Sequence, residues 1–355
     1  MKILMLVNWK VRFCERKPNN LQPPDYFCEN DEYWFFRYFK DKADVDVIDV
    51  SSFSALEKFE KNKLHFYVIQ AIKAIPKLNK YDLIVSHGMQ SAVVICFLRR
   101  FFKTKAKHIV FDIGSFASAS EEGKSLRLMQ FASKSIDGII FHMKKQKLYY
   151  EKFFPWVVDK SRFIRYGADF DFFNIKKKTK SLNKKYIVCA GKNKCDWNTV
   201  VEAFKLCDLD LELHLIGGKE KKYENIDGVL QFSYLPINTF IDQVANAEFC
   251  ILPLEPVNFS FGQMRLLQQM ALKKCVIVSD VPSILDYVED GSTALVYKRH
   301  DVKDLLRCIK TVCENNFVKE RIQKQAYDFV NIECNEKIMA ERIEDYFNDI
   351  FEGRC

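Results

Sequence analysis

The sequence predicts an α/β protein built from two doubly wound, Rossmann-like parallel-sheet domains. Three observations predict it. Short β-branched or Leu-rich runs alternate with longer helical patterns, the arrangement that parallel strands with helical crossovers require. The series runs twice, on either side of a lysine-rich stretch without apolar periodicity. The 355 residues are 48% hydrophobic and 29% charged, which is ordinary globular composition and enough chain for two cores.

In the first half the expected strands are residues 2–8, 45–50, 83–86, 108–112, 138–142 and 163–166, with helices expected at 31–40 and 64–78. Residues 176–185, from Lys176 to Lys185, read as a solvated linker. In the second half the expected strands are 186–190, 211–216, 229–232, 248–252, 276–279 and 294–297, with helices at 198–205 and 263–272. A mixed-charge helical stretch, 318–351, closes the chain. The domains expected are therefore 1–175 and 176–335. Doubly wound sheets bind ligands at the carboxyl ends of their strands, so two facing units predict a deep cleft.

The net charge of +8 comes from 55 Lys and Arg against 47 Asp and Glu. It favours phosphates or acidic lipid headgroups, while the basic residues lie in separate patches without a stacking platform, which argues against nucleic acid. The twelve cysteines are scattered without a C-x-x-C pair, so the reading is reduced thiols rather than zinc or a disulfide framework. No stretch approaches about 18 uncharged apolar residues, and the apolar start is too short for a signal segment. The expected location is cytoplasmic.

Two segments carry the chemistry. Asn258, Phe259, Ser260, Phe261, Gly262 and Gln263 follow the apolar run ending at Leu254 and open a helix that runs through Gln268 to Met270-Ala271. Gly262 permits close backbone approach, Ser260 is expected to cap the helix, and the first helical amides form an anion site. Gly191, Lys192, Asn193 and Lys194 follow the first strand of the second series and supply positive charge at a strand's end.

Together with Val276-Ile277-Val278, Val288-Glu289-Asp290-Gly291 and the segment from Phe163 to Phe173, these pieces resemble, in their order, the donor-binding core of retaining glycosyltransferase family 4, the group 1 glycosyltransferases of GT-B fold. The resemblance implies transfer of a sugar from a nucleoside-diphosphate sugar, UDP- or GDP-linked, with retention and without a metal or other cofactor. It implies a glycan or lipid-linked glycan acceptor, as in surface polysaccharide assembly. It also implies that the terminal helix, about 336–355, packs back on the first domain, with a hinge near 174–185.

On that alignment the family's two glutamates fall on Ser260 and Gln268. Lys192 takes the place of the usual arginine, and Trp197 stands where a lysine is expected, with Lys194 as its substitute. The residues expected in catalysis are Lys192, Lys194 and Asp112, the last near the place of a family histidine. Donor contacts are expected from Gly191, Asn193, Ser260, Phe261, Gly262, Gln263, Gln268 and Tyr234. His87, Gly114 and His142 end strands of the first domain and are candidate cleft or acceptor contacts. Two Asp-x-Asp triplets, at 169–171 and 208–210, lack a third ligand, so no metal is expected.

From Phe97 to Lys107 aromatics interleave with cations, a pattern suited to an anionic membrane surface and extended by Lys144, Lys145, Lys147 and Lys152. This predicts peripheral attachment to the inner face of the membrane. Two alternatives stand beside the transferase: an epimerase of the same fold, for which no acidic cluster is found, and a nucleotide-sugar-binding or regulatory protein with a decayed site, which the loss of both glutamates favours.

Overall fold

The computed structural model describes residues 1–114, 116, 121–173 and 184–354. The chain divides into two compact units, Met1–Arg165 with Asn258–Ser260 and Met339–Cys355, and Tyr166–Val257 with Phe261–Ile338. The boundary expected at 175/176, the proposed hinge and most of the lysine-rich linker lie outside the described residues.

The first unit contains β1 (Lys2–Leu6), β2 (Arg12–Cys14), β3 (Tyr26–Cys28), β4 (Asp44–Ile48), α1 (Ser54–Phe59), α2 (Val68–Ala74), β5 (Leu83–His87), α3 (Met89–Leu98), β6 (Lys107–Asp112), α4 (Lys124–Ser133), β7 (Gly138–Phe141), α5 (Gln146–Phe153) and β8 (Ser161–Phe163). Its parallel sheet has the order β4-β1-β5-β6-β7-β8. In β1, Leu4 and Leu6 reach one face of the sheet, where they pack with Ala71, Ala74 and Ile84. On the other side of the chain Val110, Ile139 and Phe141 meet Met89, Ala92, Tyr150 and Phe154.

The second unit contains α6 (Phe170–Phe173), β9 (Tyr186–Ala190), α7 (Trp197–Lys205), β10 (Glu212–Ile216), β11 (Val229–Phe232), α8 (Ile237–Ala245), β12 (Cys250–Leu252), α9 (Gln263–Ala271), β13 (Val276–Ser279), α10 (Pro282–Leu285), β14 (Leu295–Tyr297), α11 (Val302–Glu314) and α12 (Asn316–Glu333). Its parallel sheet runs β11-β10-β9-β12-β13-β14. The period of two divides the strands between two cores: Val188, Ala190, Leu252 and Val278 on one face, Ile187, Cys189, Ile251 and Ile277 on the other. The strand order reverses between β9 and β12, and a ligand crevice in such a sheet lies at that switch point. The last helix, α13 (Glu336–Glu352), begins in the second unit and from Met339 onward belongs to the first.

Three expectations differ. Residues 31–40 are not a helix but a 3-10 turn over Trp34–Tyr38, because Trp34, Phe35 and Phe36 are consecutive and all buried, which a one-faced helix cannot satisfy. The last strand of the first sheet is Ser161–Phe163 rather than 163–166. The 318–351 stretch is two helices, parted at Cys334-Asn335, where the Asn335 side chain accepts from Ile338 N at 2.8 Å. The small parallel pair β2–β3 has no counterpart in the sequence reading.

Candidate functional site

At the switch point of the second sheet, the turn after β9 is built by unusual backbone. Gly191 has φ +115° and Lys194 φ +54°. Trp197 is buried and its indole N–H donates to Gly191 O at 2.7 Å, so the tryptophan in the place of a lysine fastens the turn from below. The turn is also tied to the segment after β12: Glu255 N donates to Lys194 O at 2.8 Å and Asp196 N to Pro253 O at 2.8 Å. Lys192, Asn193 and Lys194 are exposed. The Lys192 stem lies against Gly218, where a Cβ would come within 2.5 Å of Lys192 Cδ. Its ammonium is held loosely, 3.4 Å from Lys219 O and 4.0 Å from Glu220 Oε1. Two exposed ammonium groups on a glycine turn can neutralise a diphosphate without the bidentate fork of arginine.

Helix α9 opens at Gly262, the N-cap, with φ +88° and no side-chain cap. A Cβ there would overlap Leu254 Cδ1, so glycine is required twice over. Ser260 is therefore not the cap that the sequence suggested. It belongs to the first unit, where its hydroxyl donates to Gln146 Oε1 at 2.7 Å. Phe259 packs on Gly114 (φ +111°), where a Cβ would come within 2.5 Å of the ring. Phe261 is half-buried against the second unit's core.

All three glutamines of α9, Gln263, Gln268 and Gln269, are buried. Gln263 is buried and donates to Ser283 O at 2.8 Å, so its amide is committed to the interior rather than to a sugar. Gln268 is buried too, and its Oε1 accepts from Arg265 at 3.2 Å. Arg265 sits 4.0 Å over the Phe240 ring, and burial lowers its pKa to about 10. Tyr234, by contrast, is 85% exposed and lies near enough to Arg265 to act on its charge.

Asp112 does not stand open as a reacting group. It is wholly buried at the end of β6 and accepts from Gly114 N at 3.0 Å, Phe116 N at 3.4 Å, Gln146 Nε2 at 2.9 Å and Tyr150 OH at 2.5 Å. Burial raises its pKa and these donors oppose the rise. A carboxylate so enclosed organises the loop after β6. His87 and His142 end β5 and flank the end of β7, and both are buried. His87 is ringed by Trp9, Trp34 and Phe111, and burial lowers its pKa to about 3. His142 bonds Ile164 O at 2.7 Å through Nδ1, and burial lowers its pKa to about 4. Both are neutral imidazoles at physiological pH.

Gln146 and Tyr150 carry no motif and escaped the sequence reading; only their four-residue spacing on one helical face links them. Among the described residues, Asp196, Glu255 and His300 gather three ligand-type atoms within 4.8 Å. His300 already bridges the two carboxylates, at 2.9 Å and 3.3 Å, and Asp196 also caps α7 through Thr199 N at 3.1 Å. The cluster is thereby accounted for as a tie between loops. A cavity of about 1060 Å³ in the first unit is lined by Glu15, Glu29, Asp31, Glu32, Asp44 and Asp46 among others, a wall that repels phosphate.

At the end of α3, Phe97, Phe101 and Phe131 form a ring cluster with centroids 5.3–5.9 Å apart, and Arg100 lies 5.3 Å over Phe131. Phe101 and Phe102 are 64% and 67% exposed. No helix among the described residues is long and apolar enough to cross a membrane.

Residues 184–315, less than half of the chain, match the family described as Glycosyl transferases group 1. No curated protein matches the chain in sequence. Among solved structures, the chain is similar to sucrose-phosphate synthase from Thermosynechococcus elongatus, with 16% identity, TM-score 0.71, and 99% of this chain and 100% of that one covered. It is similar to HepE of Anabaena in complex with UDP-glucose, with 14% identity, TM-score 0.69, and coverage of 98% and 100%. A glycosyltransferase from Rickettsia africae gives 15% identity, TM-score 0.67, and coverage of 87% and 90%. The chain thus has the GT-B fold, and most of its second unit matches the group 1 glycosyl transferases.

Proposed function

We propose that the protein is a glycosyltransferase that takes a sugar from a UDP- or GDP-sugar and passes it, with retention, to a hydroxyl of a glycan or lipid-linked glycan in surface polysaccharide assembly. The observation that carries this reading is the turn Gly191–Lys194 at the switch point of the second sheet, inside the segment that matches the group 1 glycosyl transferases. The crystal structure of HepE with UDP-glucose supports a nucleotide-sugar donor.

The difficult part of such a transfer is the charge that gathers on the departing diphosphate. The first amides of α9 supply positive charge that is already oriented before the bond breaks, and Lys192 and Lys194 add mobile positive charge beside the turn. Neither His87 nor His142 serves as a proton acceptor exposed to an incoming hydroxyl, since both are buried. The acceptor is met at an anionic membrane surface, on which the Phe97–Phe131 cluster and the cations from Arg100 to Lys107 rest; each cation near the headgroups contributes roughly 1 kcal/mol.

A second reading has one observation behind it: neutral Ser260 and Gln268 stand where the resembling enzymes carry glutamates. It makes the protein a nucleotide-sugar binder without turnover. Thermal stabilisation against a panel of nucleotides and nucleotide sugars, followed by donor turnover, tests both. A ligand at 100 times its Kd adds roughly 2.7 kcal/mol. Stabilisation by one nucleoside diphosphate that Lys192→Ala abolishes, with release of that diphosphate from its sugar, supports the transferase. Stabilisation without release supports the binder, and no stabilisation by any member defeats both.

A further inference from the structure

We propose that His300 is a positioning residue for the lysine turn: as an imidazolium it pins the turn to its partner segment, so that the grip on a donor diphosphate falls as the pH rises. The proposal rests on the glycosyltransferase reading and lies wholly within the second unit.

The turn is half of a short ladder. Cys195 and Leu254 form an antiparallel bridge, flanked by Glu255 N donating to Lys194 O and Asp196 N donating to Pro253 O. One side of the ladder carries Lys192 and Lys194. The other carries Leu254, whose side chain packs under Gly262 at the start of α9. The ladder thus joins the two sources of positive charge offered to a diphosphate. A two-stranded pair this short does not hold itself together in water.

His300 comes from the end of a third strand, β14, and reaches one carboxylate on each side of the ladder. Its Nδ1 lies 2.9 Å from Asp196 Oδ2 and its Nε2 3.3 Å from Glu255 Oε2. An ionised carboxylate only accepts, so the arrangement is complete when both ring nitrogens carry hydrogen, which makes the ring a cation. A neutral ring turns a bare lone pair toward one of the two carboxylates, and that side lets go. Asp196 stays ionised: burial raises its pKa, but the bonds from Thr199 and His300 bring it below the ordinary value. The backbone agrees with this assignment. His300 has φ +58°, a left-handed conformation that glycine adopts freely, and a histidine held there is strained for the sake of its ring.

Histidine is the side chain whose charge ordinarily changes between about pH 5 and about pH 8. The neighbouring thiol and phenols stay neutral in that range. Burial pushes Cys195 on the turn up to about 12, and it raises Tyr297 on β14 and Tyr223 beside α7. Arg265 on α9, lowered by burial to about 10, stays a cation. In the loop of His300 itself, Asp301 caps α11, the backbone N–H of Lys298 holds Asp304 below the ordinary value, and Lys298, Arg299 and Lys303 are exposed.

The test is isothermal titration of the full-length protein with UDP-glucose, UDP-N-acetylglucosamine and GDP-mannose at about pH 6 and about pH 8.5. The pyrophosphate of a sugar nucleotide is esterified at both ends and keeps its charge between these values, so a change with pH belongs to the protein. His300→Asn and His300→Gly both suit left-handed backbone and should unfold in urea no earlier than the wild type. At the lower pH each should bind the best sugar nucleotide about 2- to 5-fold more weakly than the wild type, the range of a partly exposed ion pair. At the higher pH the wild type should fall to their level while the variants change little. UDP-glucose and UDP-N-acetylglucosamine should lose by the same factor, because the clamp acts on the turn and not on the sugar. Folded variants that match the wild type at the lower pH overturn the proposal. So does a wild-type advantage that is undiminished at the higher pH, which would make the ring a neutral spacer. If the wild type binds no sugar nucleotide at either pH, the transferase reading fails and takes the proposal with it.

Discussion

Acidification from pH 7 to pH 5 should weaken the first unit through its buried histidines. His87 and His142 have pKa values near 3 and 4 in the folded protein, against 6.5 for the free side chain, because burial penalises the imidazolium. Below pH 6.5 the unfolded chain binds protons that the folded one refuses. Stability is therefore full above that value and is lost as the pH falls toward 4. At pH 5, about 1.5 units below the free value, each histidine costs about 2 kcal/mol at roughly 1.36 kcal/mol per unit, or about 4 kcal/mol for the pair. His108, also buried, with Ser86 and Cys96 as partners, acts in the same direction. Asp112, whose pKa is raised, opposes them, so the informative quantity is a difference between variants.

His87→Phe keeps a ring against Phe111, and His142→Gln keeps a donor for Ile164 O. Urea unfolding followed by tryptophan fluorescence at both pH values should show the double variant losing about 4 kcal/mol less than the wild type. An equal loss in both proteins would refute the assignment of the acid sensitivity to these two residues.

Other substitutions probe the site and its surroundings. Gly262→Ala should destabilise by about 2–5 kcal/mol, from the left-handed backbone at about 1–2 kcal/mol and the overlap with buried Leu254 at about 1–3 kcal/mol, read in urea. Trp197→Phe retains the ring but deletes the bond to Gly191 O. It should cost about 1 kcal/mol in thermal unfolding and several-fold in nucleoside diphosphate affinity by titration. Phe101→Ser with Phe102→Ser should leave stability within about 0.5 kcal/mol, since both rings are exposed, and lower sedimentation with phosphatidylglycerol vesicles about tenfold or more. Pure phosphatidylcholine vesicles should recruit neither protein.

The inner strands of both sheets were legible because a strand buried on two faces must be a continuous apolar run. The turns at Gly191 and Gly262 were legible because only glycine tolerates their φ values and the close approach of Leu254. What escaped was whatever depends on three dimensions. Residues Arg12–Cys14 and Tyr26–Cys28 are too short to show a period, and become strands only by pairing with each other. The helix expected at 31–40 gave way because its aromatics found partners on several sides, Phe39 meeting Phe347 from the far end of the chain. Asp112 was found in sequence by its place at a strand's end; that Gln146 and Tyr150 would enclose it depends on a helix that starts 34 positions later in the chain.

The departures from the resembling enzymes bear on whether the site has decayed. A residue that drifts into a former binding loop commonly leaves a polar group stranded, because the partners it replaces were arranged for different chemistry, and a stranded buried group costs about 1–3 kcal/mol. Gln269, whose buried amide has no partner among the described residues, shows what that looks like in this chain. Three of the four substituted positions differ from it. Trp197 holds Gly191 O, Ser260 is bound to Gln146, and Gln268 accepts from an arginine that itself rests on Phe240. Each replacement is integrated into the backbone or side chains that shape the site. Within the second unit, a neutral Gln268 in place of a carboxylate also leaves the charge of Lys192 and Lys194 less opposed, which under the glycosyltransferase reading proposed above favours an anionic donor.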